Sequence, residues 1–265
     1  MTAEADGFLK GRELVDNIRR LEGVAEQVAF QLDEQRRLGV RFPEMLARLG
    51  DGLSLLAQIA SCVWGCRHTS HTTENLLRRF ANAATAALRL AYLGYYDEAI
   101  GVIRSAGELA NLLQLFFLAP AELGTWVASS RSDRMTRYGP VAVRRFVEAG
   151  GEKPIVDEPA YRALCELGIH VTPTSAFLSH DLEGDRVYVG PQLSIPGLFL
   201  TVSELAYLIA SVLPLAGRLT HQAEPRLDEL AATKTALLET LTWLRITNYE
   251  RVLNHFRENS TENGV

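Results

Sequence analysis

The sequence predicts an all-α fold: a helical bundle with one small β-hairpin or extended loop. Apolar residues recur at spacings of three and four through several segments, the period of a helix face. Those segments are long enough to pack as a bundle. Period-two alternation occurs clearly only once, in "DLEGDRVYVGPQL", Asp181 to Leu193.

The elements follow in order. A first amphipathic helix runs from Lys10 to Leu38, with Leu14, Ile18, Leu21, Ala25, Val28 and Leu32 on one face. Gly39 and Pro43 punctuate its end. Short and longer helices are expected over Glu44–Leu49 and Leu53–Cys66, separated at "GDG". "SHTTEN", Ser70 to Asn75, offers hydroxyl caps ahead of a helix reaching Leu93. "LGYYDEA" makes a tight connection into a helix ending near Leu118, and Pro120 suits the first turn of the next, Ala121–Ser129.

Between Ser130 and Asp157 the chain is polar and broken by Gly and Pro, and one short helix is expected there. A helix over Glu158–Leu167 precedes the irregular "GIHVTPTS", and "EGD" supplies turn chemistry for the hairpin. Helices over Val202–Thr220 and Pro225–Arg257 close the chain. With no internal repeat and no dividing linker, residues 1–265 read as one domain. It comprises N-terminal helices (1–70), a core (71–180), the hairpin (181–193) and C-terminal helices (198–259).

Composition limits the function classes. A net charge of -5 gives no global case for nucleic acid, whose binding domains are strongly basic. Three cysteines are too few, and odd in number, for a disulfide framework, so a reducing, cytoplasmic setting is expected. The polar, acidic N-terminus has neither a signal core nor an Arg-rich transit pattern. "GLFLTVSELAYLIASVLPLAG", Gly197 to Gly217, is apolar but interrupted by Glu204 and Pro214. A charge at mid-bilayer costs about 2.5–3.5 kcal/mol, so a buried central helix is expected there and no membrane span.

The polar residues of the fifth predicted helix form a narrow stripe. At about 100° per residue, Asp97, Gly101, Arg104, Glu108 and Asn111 share one sector amid Ile100, Ile103, Leu113 and Phe116. The preceding helix has a similar sector of Asn75, Arg79, Asn82, Ala86 and Arg89, with Arg78 at its edge. A short connection makes the two helices antiparallel neighbours. Arg89 should then lie near Asp97, and Asn82 or Arg78 near Glu108 and Asn111. Arg78, Asn82 and Asn111 are therefore candidate binding residues, if the stripe lines a groove rather than facing solvent.

"GYYDEAIGVIRSAGELANLL" and "YRALCELGIHVTPTS" resemble motifs of poorly characterised bacterial helical proteins related to the HEPN superfamily. The matching residues are Gly94, Glu98, Ala99, Arg104, Ser105 and Glu108, then Tyr161, Leu164 and His170, with Cys165 where relatives carry serine. The resemblance covers about Thr72 to His180. It implies a helical core and a role in bacterial stress or phage defence, either non-catalytic or as a metal-independent ribonuclease or nucleotide-binding toxin. On that basis Arg104, Glu108, Tyr161 and His170 are the candidate catalytic residues, Arg104 for phosphate and His170 as acid or base. The ribonuclease members' Arg and His, with four to six residues between them, are missing. Arg67–His71 and Arg251–His255 have three between them, each one residue too short.

Other constellations are weaker. Cys62, Cys66, His68 and His71 are zinc-type ligands crowded into ten residues, whereas structural zinc sites draw ligand pairs from two separated elements. Buried cysteines followed by polar loop histidines are expected there, and no metal. "SHDLEGDR" lacks EF-hand spacing, and no phosphate loop, nucleophile elbow or HExxH is present. With no complete catalytic motif and no cofactor motif, the expected biochemistry is self-association as a dimer, or protein-partner binding. The long terminal helices would supply the surface. RNA or nucleotide is the alternative ligand.

Overall fold

The computed structural model describes residues 20, 22–30, 41–63, 70–170, 190–220 and 226–244, and every regular element among them is helical. The helices are α1 (residues 22–30), α2 (Arg41–Ala60), α3 (Thr72–Tyr92), α4 (Tyr96–Leu118) and α5 (Pro120–Ala128). They continue with α6 (Arg131–Arg137), α7 (Pro140–Ala149), α8 (Glu158–Gly168), α9 (Ile195–Thr220) and α10 (Leu227–Leu244).

The all-α architecture follows from one helix that is apolar nearly all round. α9 buries Leu198, Val202, Leu205, Leu208, Ile209, Val212, Leu213 and Ala216 among others, and packs on α2, α3, α4 and α10. By length and composition alone it could cross a membrane; here the other helices cover most of its apolar stretch. Its hydroxyls do not oppose this burial. Thr201, Ser203, Ser211 and Thr220 each donate to the carbonyl four residues earlier, at 2.7–2.8 Å. Each polar group is thus satisfied inside the helix.

α3 and α4 form the antiparallel hairpin that the tight connection implies. Gly94 turns the chain with φ +87°, and a Cβ there would meet the Gln192 carbonyl oxygen at 2.5 Å. Both the backbone conformation and the close approach of the 190–194 segment require glycine. Next to it Tyr96 is fully buried, and its hydroxyl accepts a hydrogen bond from the Ser194 N–H at 3.2 Å.

Three expectations are corrected. The break at "GDG" does not occur: α2 is continuous through Gly50, Asp51 and Gly52. Gly52 is there for packing, since a Cβ would stand 2.7 Å from Ile209 Cγ2 and 3.2 Å from Leu237 Cδ1. The Ser/Thr caps of "SHTTEN" are not used; His71 is the N-cap of α3 and makes no side-chain capping bond. Between Ser130 and Asp157 there are two helices rather than one. Ser130 caps α6, accepting from the Asp133 N–H at 3.1 Å, and Pro140 opens α7.

The chain turns by 118° between α4 and α5. Ala119 leaves the helical region (φ -134°, ψ 78°) ahead of a proline, which disfavours helix at the residue before it. Among the expected elements, residues 10–19 and 31–38 of the first helix, 181–189 of the hairpin and 245–257 of the last helix lie outside the described residues.

Candidate functional site

Two glycines set the site geometry. Where α8 crosses α4, Gly168 and Gly101 face each other. A Cβ on Gly168 would lie 2.6 Å from the Gly101 nitrogen, and one on Gly101 would lie 3.0 Å from the Gly168 carbonyl oxygen. Helix backbones approach this closely only where small residues meet. Over the next two turns of each helix, the close approach brings long polar side chains together.

The cluster contains three of the four candidate catalytic residues. Arg104 pairs with Glu108 at 2.8 Å through Nη2 and Oε1. The same Nη2 donates to the Tyr161 hydroxyl, and Arg104 Nε donates to Cys165 Sγ at 3.2 Å. The Tyr161 hydroxyl in turn donates to Glu108 Oε1 at 2.8 Å. Arginine, phenol and carboxylate thus close a ring of contacts across α4 and α8. The Arg104 and Glu108 side chains are 23% and 32% exposed, so the cluster is partly desolvated without being sealed. Among the described residues, Arg104 Nη1 takes no hydrogen bond.

The sequence reading omitted Arg144 on α7. Only 3% exposed, it holds its guanidinium 4.4 Å from the Tyr161 ring centroid, while Arg104 lies 4.9 Å from it. Each such cation–π contact contributes about 0.5–2 kcal/mol, more as the site is desolvated. Arg144 Nη2 pairs with Glu158 Oε2, whereas its Nη1 is buried with no partner among the described residues. The available signal was that Arg144 lies between Val143 and Val147, which are also buried on α7.

The electrostatics favour a fixed charge pattern over proton transfer. Desolvation lowers the pKa of Arg104, but the bonds to Cys165 and Tyr161 and the charge of Glu108 outweigh it, and the pKa is raised. Tyr161 is also raised, first by desolvation and then by its bond to Glu108, with Arg104 opposing. The arginine stays cationic and the phenol neutral through the physiological range.

The other candidates fall elsewhere. His170 lies past the end of α8, exposed; its N–H donates to the Cys165 carbonyl at 2.8 Å, and its imidazole makes no hydrogen bond among the described residues. Arg78 and Asn82 are exposed on α3. Arg104, Glu108 and Asn111 of the α4 stripe therefore do not pair with Arg78 or Asn82; their partners are α8 and the segment before it. Asn111 is buried, and its side-chain amide clasps one residue. Nδ2 donates to the Val156 carbonyl at 2.8 Å, and Oδ1 accepts from the Val156 N–H at 2.9 Å. Gln114 repeats the pattern on the same strap, bonding the Lys153 carbonyl and the Ile155 N–H, each at 2.9 Å. Cys66, His68, His180, Asp181, Glu183 and Asp185 lie outside the described residues.

No family model, no curated protein and no solved structure matches this chain.

Proposed function

We propose that this chain acts by association, with a second copy of itself or with another protein, and that helices α5, α6 and α7 carry the associating surface. The observation behind this reading is apolar exposure on three consecutive short helices. Val127, Met135, Val141 and Phe146 are 53%, 72%, 50% and 42% exposed, and α5 and α6 bury no residue. Exposed apolar side chains that form a contiguous patch are typical of interaction surfaces, and these four lie on helices that follow one another directly in the chain. The terminal helices, the other candidate surface, lie in large part outside the described residues.

Neither of the two described cysteines, Cys62 and Cys165, is in a disulfide, which suits a reducing, cytoplasmic setting. The stress or defence role rests on the HEPN-like motifs alone. The ribonuclease alternative draws on Arg104 Nη1, which donates no hydrogen bond among the described residues, but it also needs an acid or base. His170, the candidate for that role, makes no hydrogen bond to the cluster.

Sedimentation velocity across a wide concentration range tests the proposal. Wild type should show a reversible dimer, or should co-purify with a partner in defined stoichiometry. Val127→Lys with Met135→Lys should weaken that association while leaving helicity unchanged. A strictly monomeric, partner-free wild type would overturn the reading. RNA cleavage by wild type that disappears in Arg104→Ala would support the ribonuclease instead.

A further inference from the structure

The end of α2 and the start of α3 bring three metal-ligating side chains to one point. Cys62 follows α2 by two residues, His71 is the N-cap of α3, and Glu74 lies in the first turn of α3. Their donor atoms all lie within 4.8 Å of one another, and Cys62 Sγ is 3.6 Å from His71 Nδ1. Glu74 is 2% exposed although it carries a carboxylate. His71 is exposed, so the cluster opens to solvent on one side.

We propose that Cys62, His71 and Glu74 bind one zinc ion, which fastens the α2 end to the α3 start. The donor set suits zinc: thiolate sulfur, imidazole nitrogen and carboxylate oxygen all occur in its sites. The distances fit as well. Zn–S of about 2.3 Å and Zn–N of about 2.05 Å at a tetrahedral angle put sulfur and nitrogen roughly 3.5–3.6 Å apart. The sulfur–nitrogen pair already stands at that separation, and the Glu74 carboxylate, within 4.8 Å of both, closes on the ion to complete the set.

The spacing also overcomes the objection raised by the sequence. Two ligands come from the α3 start and one from beyond α2, so they belong to two elements rather than one crowded segment. Glu74 is the ligand that the Cys/His pattern does not contain. Coordination takes Cys62 as thiolate, so its thiol proton is released to solvent as the metal binds. Three protein ligands leave a fourth tetrahedral position for water, on the open side next to His71.

The test uses the full chain, stripped with chelator and kept under a non-thiol reductant. Zinc titration with a chromophoric competitor should show one high-affinity site. Cobalt(II) substitution should give thiolate-to-metal charge-transfer absorption together with intense, tetrahedral-type d–d bands. Cys62→Ser should abolish the charge-transfer band. His71→Ala and the isosteric Glu74→Gln should each weaken zinc binding at least as much as loss of an outer-shell partner, roughly 10–100-fold. Zinc should raise the melting temperature of wild type and not of Cys62→Ser. Circular dichroism of each apo variant confirms that the chain is folded before titration. The proposal is overturned if wild type takes up no zinc. Charge-transfer absorption that persists in Cys62→Ser, or unchanged affinity in both the His71 and Glu74 variants, would also overturn it. None of these outcomes bears on the association proposed above, which is read from oligomeric state.

Discussion

Replacing Gly168 by alanine tests the crossing of α8 over α4 directly. The added Cβ would meet the Gly101 nitrogen at 2.6 Å, and the Asp97 oxygen and Ile100 carbonyl carbon at 3.0 Å each. All three are backbone atoms of α4, so no rotamer change relieves the contact. Ordinary contact begins at 3.4 Å, and the shortfall is 3.4 − 2.6 = 0.8 Å. The helices must separate by several tenths of an ångström, stretching the Arg104–Cys165 and Tyr161–Glu108 bonds that span them. Overpacking costs about 1–3 kcal/mol, and each weakened bond costs up to about 1 kcal/mol more. The stiffer unfolded chain returns about 0.4–1 kcal/mol. The net expectation is a loss of about 2 kcal/mol, or roughly 4–8 °C in Tm for a chain of this size.

The control is Gly124→Ala. Gly124 sits in the exposed α5 with nothing within 4 Å of its added Cβ. There alanine should stabilise by about 0.5–1 kcal/mol. Urea unfolding followed by circular dichroism gives both signs, and thiol-reagent modification of the buried Cys165 reports local loosening at the crossing. If Gly168→Ala is as stable as wild type, or stabilises like the control, the helices do not cross as described.

Other perturbations have equally definite signs. Asn111→Ala strands the N–H and the carbonyl of Val156 in the core, so it should cost about 2–4 kcal/mol; amide exchange at Val156 should accelerate. Burial raises the Tyr96 pKa to about 12, although its bond from Ser194 opposes this. A raised pKa means that the folded state favours the neutral phenol. Its contribution of about 2–3 kcal/mol is complete below the unfolded value near 10 and is lost as pH rises toward 12. Urea midpoints of Tyr96→Phe should show less of that alkaline decline. Asp157 caps α8, and its pKa is lowered, first by the Ala160 N–H and then, against desolvation, by Lys153. Its contribution is present above the unfolded value of 3.8 and fades as pH falls below it. Asp157→Ala should therefore lose about 1 kcal/mol at neutral pH, with the gap from wild type closing in acid.

What was legible in the sequence was whatever depends on neighbours along the chain. The α3–α4 hairpin follows from two apolar-periodic segments joined by a tight glycine turn. The start of α5 follows from Pro120, and the buried α9 from a long apolar run. Features set by distant residues were not legible. Gly50 and Gly52 look like a helix break, because glycine costs helix stability locally. The gain at Gly52 is contact with Ile209 and Leu237, far along the chain. α6 buries nothing and so has no apolar period to find. Its stabilising features are the Ser130 cap and the Arg137–Glu122 ion pair. The zinc-type cysteine and histidines were visible, but Glu74 was read only as a helix-start residue.

The α4 stripe shows the same limit within the candidate site. Its narrowness implied a second wall, and a second wall exists. The short α3–α4 connection pointed to α3, yet the contacts of Arg104 and Glu108 run to Tyr161 and Cys165, more than fifty residues away. The pair Gly101 and Gly168 permits the close backbone approach of α8 that brings these side chains together. An i,i+4 Arg–Glu pair in the less favourable order is worth only tenths of a kcal/mol on an exposed helix. Here a phenol bridges both charges, a thiol takes the third contact, and a second arginine stacks on the phenol ring. The pair is thereby changed from a surface ornament into the fastening between α4, α7 and α8. Most of its hydrogen-bonding capacity is spent within the protein. That expenditure leaves Arg104 little capacity for chemistry, and it is one ground on which association is proposed instead.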